Sequence, residues 1–210
     1  MIGHFVGRLA GGLSLFFVLS GLHHLVSSDL QNYIAQQPLF LQLTEAILVA
    51  DFSYYIAHRL LHEVPFLWRF HAVHHSIEYL DWLATVRVHP ADQIFTKLCQ
   101  MIPIYWMGFS TQTLGIYALF SAAIAFYIHA NIRLRVGSLK WLLATPEFHH
   151  WHHAKVPEVG NKNFAAQCPL FDLILGTLYL PRREMPQKYG IPEQVPLGYL
   201  AQLLYPFKGV

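Results

Sequence analysis

The chain has 210 residues, enough for one domain with a single core. Its composition is 54% hydrophobic, 15% aromatic and only 12% charged, against roughly 25% charged residues in ordinary soluble domains, which excludes a typical water-soluble fold and reads as a polytopic membrane protein. A formal net charge of +2 without a basic stripe excludes nucleic acid as a partner, and two cysteines without metal-type spacing, Cys99 and Cys168, exclude a cysteine-based zinc or iron–sulfur site.

Residues 5–26 are apolar apart from Arg8, His23 and His24 and are long enough to cross a bilayer at ~1.5 Å per residue. Arg8 ahead of the apolar run at 9–22 imitates a secretory signal, but no small-residue cleavage site follows, so the run is expected to be retained as a first span. A polar connector, 27–38, leads to a second apolar helix at 39–58. That helix carries Glu45 and Asp51, acidic residues that a span places toward the bundle interior or a polar cavity. Residues 59–93 are polar, aromatic and histidine-rich, with breaks at Pro65 and Pro90, and belong outside the hydrocarbon. Segments 94–109 and 114–130, joined by an uncharged turn, predict a tight hairpin that crosses the membrane wholly or in part. Residues 131–210 read as a soluble-looking cap with a proline-rich tail and a short interfacial helix at 197–204. The whole is expected to be one all-α membrane domain, 1–210, with about four transmembrane or hairpin helices and a cytosolic helical cap formed by 59–93 and 131–210.

Arg8, Arg59, Arg69, Arg87, Lys97, Arg133, Arg135 and Lys140 all fall on one side of this arrangement, and the two opposite connectors carry no Lys or Arg. The positive-inside rule therefore places both termini in the cytoplasm. All the histidine clusters then face that same side, because an even number of crossings separates them.

Histidine is the anomaly of the composition: its 14 copies equal Lys plus Arg. His58 and His62 form H-x-x-x-H, His71, His74 and His75 form H-x-x-H-H, and His149, His152 and His153 repeat that pattern, leaving His150 pointing elsewhere. Residues at i and i+3 or i+4 share a helix face, so each cluster can aim its imidazoles at one point. With His129 at the end of the hairpin and His89 before it, the ligands exceed what a single ion accepts, so two metals are the economical reading. Imidazole suits iron, zinc, copper and nickel, so ligand type alone does not choose the metal. Asp51 lies two helical turns before His58 on nearly the same face. It is either a carboxylate fixing a ligating histidine or a buried acid bonded to tyrosine or backbone.

The motifs DFSYYIAHRLLH, FHAVHHS, RVHPAD, FYIHAN, PEFHHWHHA and NFAAQCPLFDLILGT together resemble the fatty acid hydroxylase superfamily, in particular its sterol desaturase-like members, over about residues 51–177. The resemblance implies that His58, His62, His71, His74, His75, His129, His149, His152 and His153 are metal ligands. Asn131 follows the hairpin histidine, and Asn163, Asp172, Gly176 and Thr177 would pack the cap around the site. Some members carry a further ligand one turn before the hairpin histidine. Here that position is Ala125, which makes His89 the candidate for a tenth imidazole.

The implied activity is that of a membrane non-haem di-iron oxygenase, a monooxygenase-type enzyme that uses O2 to hydroxylate or desaturate an unactivated C–H bond of a lipid of sterol or fatty acyl type. Its cofactor would be two iron ions, cycling between Fe2+ and Fe3+, with zinc as a substitute on overexpression. No catalytic residue separate from the ligands is expected. The sequence contains no Gly-rich dinucleotide fingerprint and no Cys cluster, so an external donor (a ferredoxin, a cytochrome b5-type protein or a reductase) is implied. Compact length favours a bacterial inner membrane over the endoplasmic reticulum. The alternative is a histidine-based metal transporter or sensor, which wants polar ligands at mid-membrane in several spans.

Overall fold

The computed structural model describes Gly3 and residues 27–134, 136–181 and 184–208. The first expected span, residues 5–26, lies outside the described residues. The described chain is helical: α1 (Ser28–Ala35), α2 (Leu39–Glu63), α3 (Pro65–His75), α4 (Pro90–Met107), α5 (Thr111–His129), α6 (Pro146–His152), α7 (Leu170–Ile174) and α8 (Tyr199–Leu204). Short 3-10 turns stand at Trp82–Val86, Gly137–Trp141, Pro157–Val159 and Tyr205–Phe207. No β-strand occurs among the described residues, only an isolated antiparallel bridge between Ala154 and Tyr189.

α2 and α5 are each long and apolar enough to cross a membrane. α2 runs 25 residues, a turn beyond the expected 39–58, because Leu60 and Leu61 continue its apolar pattern as far as the break that Pro65 imposes. On its inner face Ala46 and Ala50 are fully buried, small enough to let α4 approach closely. Its outer face exposes Phe40, Leu48, Phe52, Ile56 and Leu60, and α5 exposes Ile116, Leu119 and Phe126. Helices apolar on both faces suit a hydrocarbon surrounding.

α4 and α5 follow one another through a short turn at the place of the expected hairpin and both pack on α2, but of the two only α5 is long and apolar enough to cross a membrane. Gly108 closes α4 in the left-handed region at φ 77°, and Ser110 caps α5 by accepting from the Thr113 N–H at 3.2 Å. Gln42, buried on α2, ties this turn down. Its Oε1 accepts from the Ser110 N–H and the Thr113 hydroxyl, each at 3.0 Å, and its Nε2 donates to the Gln37 carbonyl at 2.8 Å. One end of the bundle is thus the α1 connector and the hairpin turn. At the other end the C-termini of α2 and α5 and the N-terminus of α4 meet α3 and α6. A core of Tyr55, Ile124, Ile128, Ala144, Phe148, Phe164 and Ala165 joins α2 and α5 to residues 144–165 there.

Candidate metal centre

α2 carries His58 and His62 one turn apart at its end. Pro65, in the first turn of α3, reverses the chain so that His71, His74 and His75 return toward them. α5 ends on His129. α6 is started by Thr145, whose hydroxyl accepts from the Phe148 N–H at 3.3 Å, and it delivers His149, His152 and His153. The result is two groups of histidines: His58, His62, His71, His75 and His152 in one, and His74, His129, His149 and His153 in the other. Within each group the potential ligand nitrogens lie within 4.8 Å of one another. All but His62 are buried. Nine of the ten histidines expected as ligands therefore assemble.

His89 does not join them. It stands at the start of α4, where its Nδ1 accepts from the Ala91 N–H at 3.1 Å and its Nε2 lies 3.3 Å from the Leu203 carbonyl. A histidine with both ring nitrogens engaged in this way is a helix cap rather than a ligand, because the carbonyl takes the Nε2 proton and the amide takes the Nδ1 lone pair.

The hydrogen bonds behind the ligands decide their tautomers. The Nδ1 of His58 donates to the Phe164 carbonyl at 2.6 Å, that of His74 to the Arg87 carbonyl at 3.2 Å, that of His129 to the Ala125 carbonyl at 2.7 Å and that of His152 to the Lys162 carbonyl at 2.8 Å. A carbonyl only accepts, so each Nδ1 carries the proton and each Nε2 presents a lone pair. Yet His74 Nε2 and His129 Nε2 face each other at 3.2 Å. In the other group His58 Nε2 faces His71 Nε2 at 3.0 Å, while His71 Nδ1 is 2.8 Å from the buried Asp92 carboxylate. Lone pairs opposed at these distances repel unless a cation lies between them. The Nε2 of His62 and of His152, and the Nδ1 of His149 and of His153, are buried with no hydrogen-bond partner in the protein. Opposed lone pairs on imidazoles whose other nitrogen donates to a carbonyl, surrounded by further buried ring nitrogens that lack a partner, are what metal ligation requires, so the donor set fits metal ions. Burial holds His71, His74, His75, His149, His152 and His153 well below the usual imidazole value of 6.5, and neighbouring histidines add to the effect.

The residues expected behind the ligands divide. Asp51 touches no histidine: it accepts the backbone N–H groups of Ala166, Gln167 and Cys168 at 3.0, 2.9 and 2.6 Å, so of its two expected roles the backbone one is present. Asp172 accepts from the Phe164 and Ala165 N–H groups, both at 2.8 Å, and from the Thr177 hydroxyl at 2.6 Å. Asn163, at φ 59°, donates to the Phe148 and Tyr179 carbonyls and accepts from the Tyr179 N–H. These three side chains shape the 162–168 loop, whose Lys162 and Phe164 carbonyls hold His152 and His58. Asn131 is exposed just beyond α5.

Sequence reasoning missed Asp92, which makes the carboxylate contact considered for Asp51. Its signal was within RVHPAD, an acid in the first turn of α4 one turn after a histidine that caps that helix. Thr85 was missed as well. Its hydroxyl donates to the Ala125 carbonyl at 2.9 Å and lies 3.2 Å from His129 Nδ1, beside the carbonyl that takes the Nδ1 proton. A cavity of about 100 Å³ reaches the ligands between α4 and α5, with His71, His74, His129 and His149 in its wall.

A sequence model of the family described as fatty acid hydroxylase matches residues 43–177. The chain is similar to the ornithine lipid hydroxylase OlsE of Rhizobium tropici, 38% identical over 172 residues covering 82% of this chain and 52% of that protein. It is similar to alkylglycerol monooxygenase of Xenopus tropicalis, 31% identical over 137 residues, 64% of this chain and 29% of that protein. The very-long-chain aldehyde decarbonylase GL1-1 of Oryza sativa subsp. indica is 26% identical over 205 residues, 90% of this chain and 32% of that protein. The chain thus spans about half the length of the first of these relatives and about a third or less of the other two. No solved structure matches it significantly.

Proposed function

Because the chain belongs to the fatty acid hydroxylase family, we propose that it is an O2-dependent oxidoreductase that hydroxylates or desaturates an unactivated C–H bond of a membrane lipid. The observation that carries this reading is the pair of opposed imidazole lone-pair contacts, one in each histidine group. His58, His62, His71, His75 and His152 would hold one iron ion, and His74, His129, His149 and His153 a second. Bound iron supplies the redox chemistry that an inert C–H bond demands and that no side chain here can perform.

The chain's own residues do the rest. Carbonyls of residues 87, 125, 162 and 164 fix the imidazole tautomers, so that the ligands are neutral and preorganised. An all-imidazole shell adds no negative charge and leaves the site cationic. The cavity between α4 and α5 brings the reacting carbon against His71, His74, His129 and His149. For hydroxylation the balance is R–H plus O2, two electrons and two protons giving R–OH and water, with the electrons drawn from a separate ferredoxin, cytochrome b5-type protein or reductase. The lipid expected from the sequence is of sterol or fatty acyl type. Two of the named relatives are an ornithine lipid hydroxylase and an alkylglycerol monooxygenase, and both support the broader class of membrane lipid.

The same reading places α2, α5, the 94–109 segment and residues 5–26 in the bilayer of a bacterial inner membrane, with the termini and the cap in the cytoplasm. A transporter would string its ligands along the spans, whereas both histidine groups lie at one end of α2 and α5.

Membranes from a host expressing the chain, supplied with iron, a reductase system and 18O2, test the proposal. Wild-type membranes are expected to gain a labelled hydroxyl, or for desaturation an unlabelled double bond, in one lipid class. His74→Ala and His152→Ala, which remove one ligand from each group, are expected to insert normally and yield neither product. Product that persists in both variants, or a reconstituted wild type that yields neither a labelled hydroxyl nor a new double bond, overturns the reading.

A further inference from the structure

The cavity that reaches the histidines is not lined as a pocket for a bare hydrocarbon chain would be. Away from the ligands its wall carries Lys97, Gln100, Ser121 and Gln167. Lys97 stands in the second turn of α4, and its ammonium donates to Gln100 Oε1 at 2.7 Å, a contact that holds the charge against a glutamine which is itself only 2% exposed. It is the only Lys or Arg among the described residues lining the cavity. Across from it, Gln167 is 2% exposed. Its Nε2 donates to the Tyr117 hydroxyl at 3.1 Å and the Ser121 hydroxyl at 3.3 Å, while its Oε1 is buried with no partner in the protein. A buried acceptor without a donor is costly unless something outside the chain completes it. The one acid among the described residues of the wall, Asp92, is already engaged by His71.

At about 100 Å³ the cavity is far smaller than the ~300–1,000 Å³ of pockets that swallow whole ligands, so only a fragment of a lipid enters it. The half-buried lysine and the buried glutamines beside that fragment would reject a methylene run, since desolvating them against hydrocarbon leaves their hydrogen bonds unmade.

Resting on the lipid-oxidation reading above, we infer that Lys97, Gln100 and Gln167 form a polar subsite that binds an anionic group of the substrate, a phosphate or carboxylate, and that the oxidised C–H bond lies near that group rather than deep in a tail. Lys97 supplies the charge, and Gln167 Oε1 accepts from an N–H or O–H on the same head. These are specificity residues, not ligands.

Titration of the purified full chain in neutral dodecyl maltoside micelles with dodecyl phosphate, dodecanoate and dodecanol tests this, with Kd as the readout and no turnover required. One or both anionic amphiphiles are expected to bind about tenfold more tightly than dodecanol, as a charge-assisted hydrogen bond provides. The difference between the two anions tells phosphate from carboxylate. Lys97→Met is expected to erase the preference and Lys97→Arg to keep most of it. Gln167→Leu is expected to weaken binding of dodecanol, whose hydroxyl can donate. Equal Kd values for all three amphiphiles in wild type, or a preference that survives Lys97→Met, overturn the subsite. Anion preference in a chain that oxidises no lipid would sink the activity and leave the subsite standing. Oxidation without anion preference would do the reverse.

Discussion

His71 differs from the other anchored ligands in leaning on a carboxylate. Main-chain carbonyls hold His58, His74, His129 and His152, whereas His71 Nδ1 is held by Asp92 at 2.8 Å, with both side chains buried. A carboxylate raises the basicity of the ring it holds and fixes its rotation, so it strengthens the bond that the opposite nitrogen makes to a metal. Burial pushes the Asp92 pKa up to about 8, and Asp92→Asn keeps the shape and an acceptor oxygen but removes the group that can ionise when His71 binds a cation. It is expected to lower metal affinity by about 10- to 100-fold, measured by competition with a chromophoric chelator. The group containing His74, His129, His149 and His153 is expected to keep its affinity, so the loss should affect one of the two bound equivalents. Loss of both, or of neither, would show that Asp92 does not act through His71.

At the scale of elements, the structure depends on the α4–α5 turn, because the turn returns His129 to the level of His58. Gly108 adopts φ 77°, and a Cβ there would sit 2.4 Å from Gln31 Cβ in α1. Gly108→Ala combines a left-handed conformation that costs about 1–2 kcal/mol for an L-residue with that overlap, so thermal stability is expected to fall by more than the conformational term alone. Gly115, within α5, faces open space where a Cβ would stand, with no neighbouring atom inside 4 Å, and Gly115→Ala is expected to be neutral or to stabilise by up to about 1 kcal/mol. Equal melting temperatures for the two variants would contradict this placement of the turn. The histidine spacing and the hairpin were legible in the sequence because both are local: i, i+3 and i+4 fix a face, and apolar length with a glycine fixes a turn. The partners behind the ligands were not. His71–Asp92 and His58–Phe164 join residues 21 and 106 positions apart, and no local period encodes such a contact. Asp51 illustrates the limit, since its register with His58 was right and yet its carboxylate serves the amides of 166–168. His89 shows the converse, a histidine of the right type near the site that works as a helix cap.

At the scale of the whole molecule, the bundle confines a set of imidazoles in their neutral form, and that ties its stability to pH and metal together. Burial holds the pKa of His149, His152 and His153 well below 6.5 in the folded chain, whereas in the unfolded chain they return toward that value. Below about pH 6.5 the unfolded state therefore binds more protons than the folded one. Stability contributed by these groups is fully present above that pH and drains away as the pH falls toward the depressed folded values. His71, His74 and His75 act in the same direction. Metal opposes the loss, because an ion held by the folded chain and not by the unfolded one stabilises in proportion to the logarithm of its concentration over Kd. The chelator-stripped protein is accordingly expected to melt at lower temperature as the pH is lowered from about 7.5 to about 5.5, with the decline beginning near pH 6.5. The iron-loaded protein is expected to melt higher at every pH where the ligands stay neutral. An apoprotein whose melting temperature stays flat across that range would mean that its histidines titrate as they do in water, and that they are not enclosed between α2, α3, α5 and α6 as the structure has them.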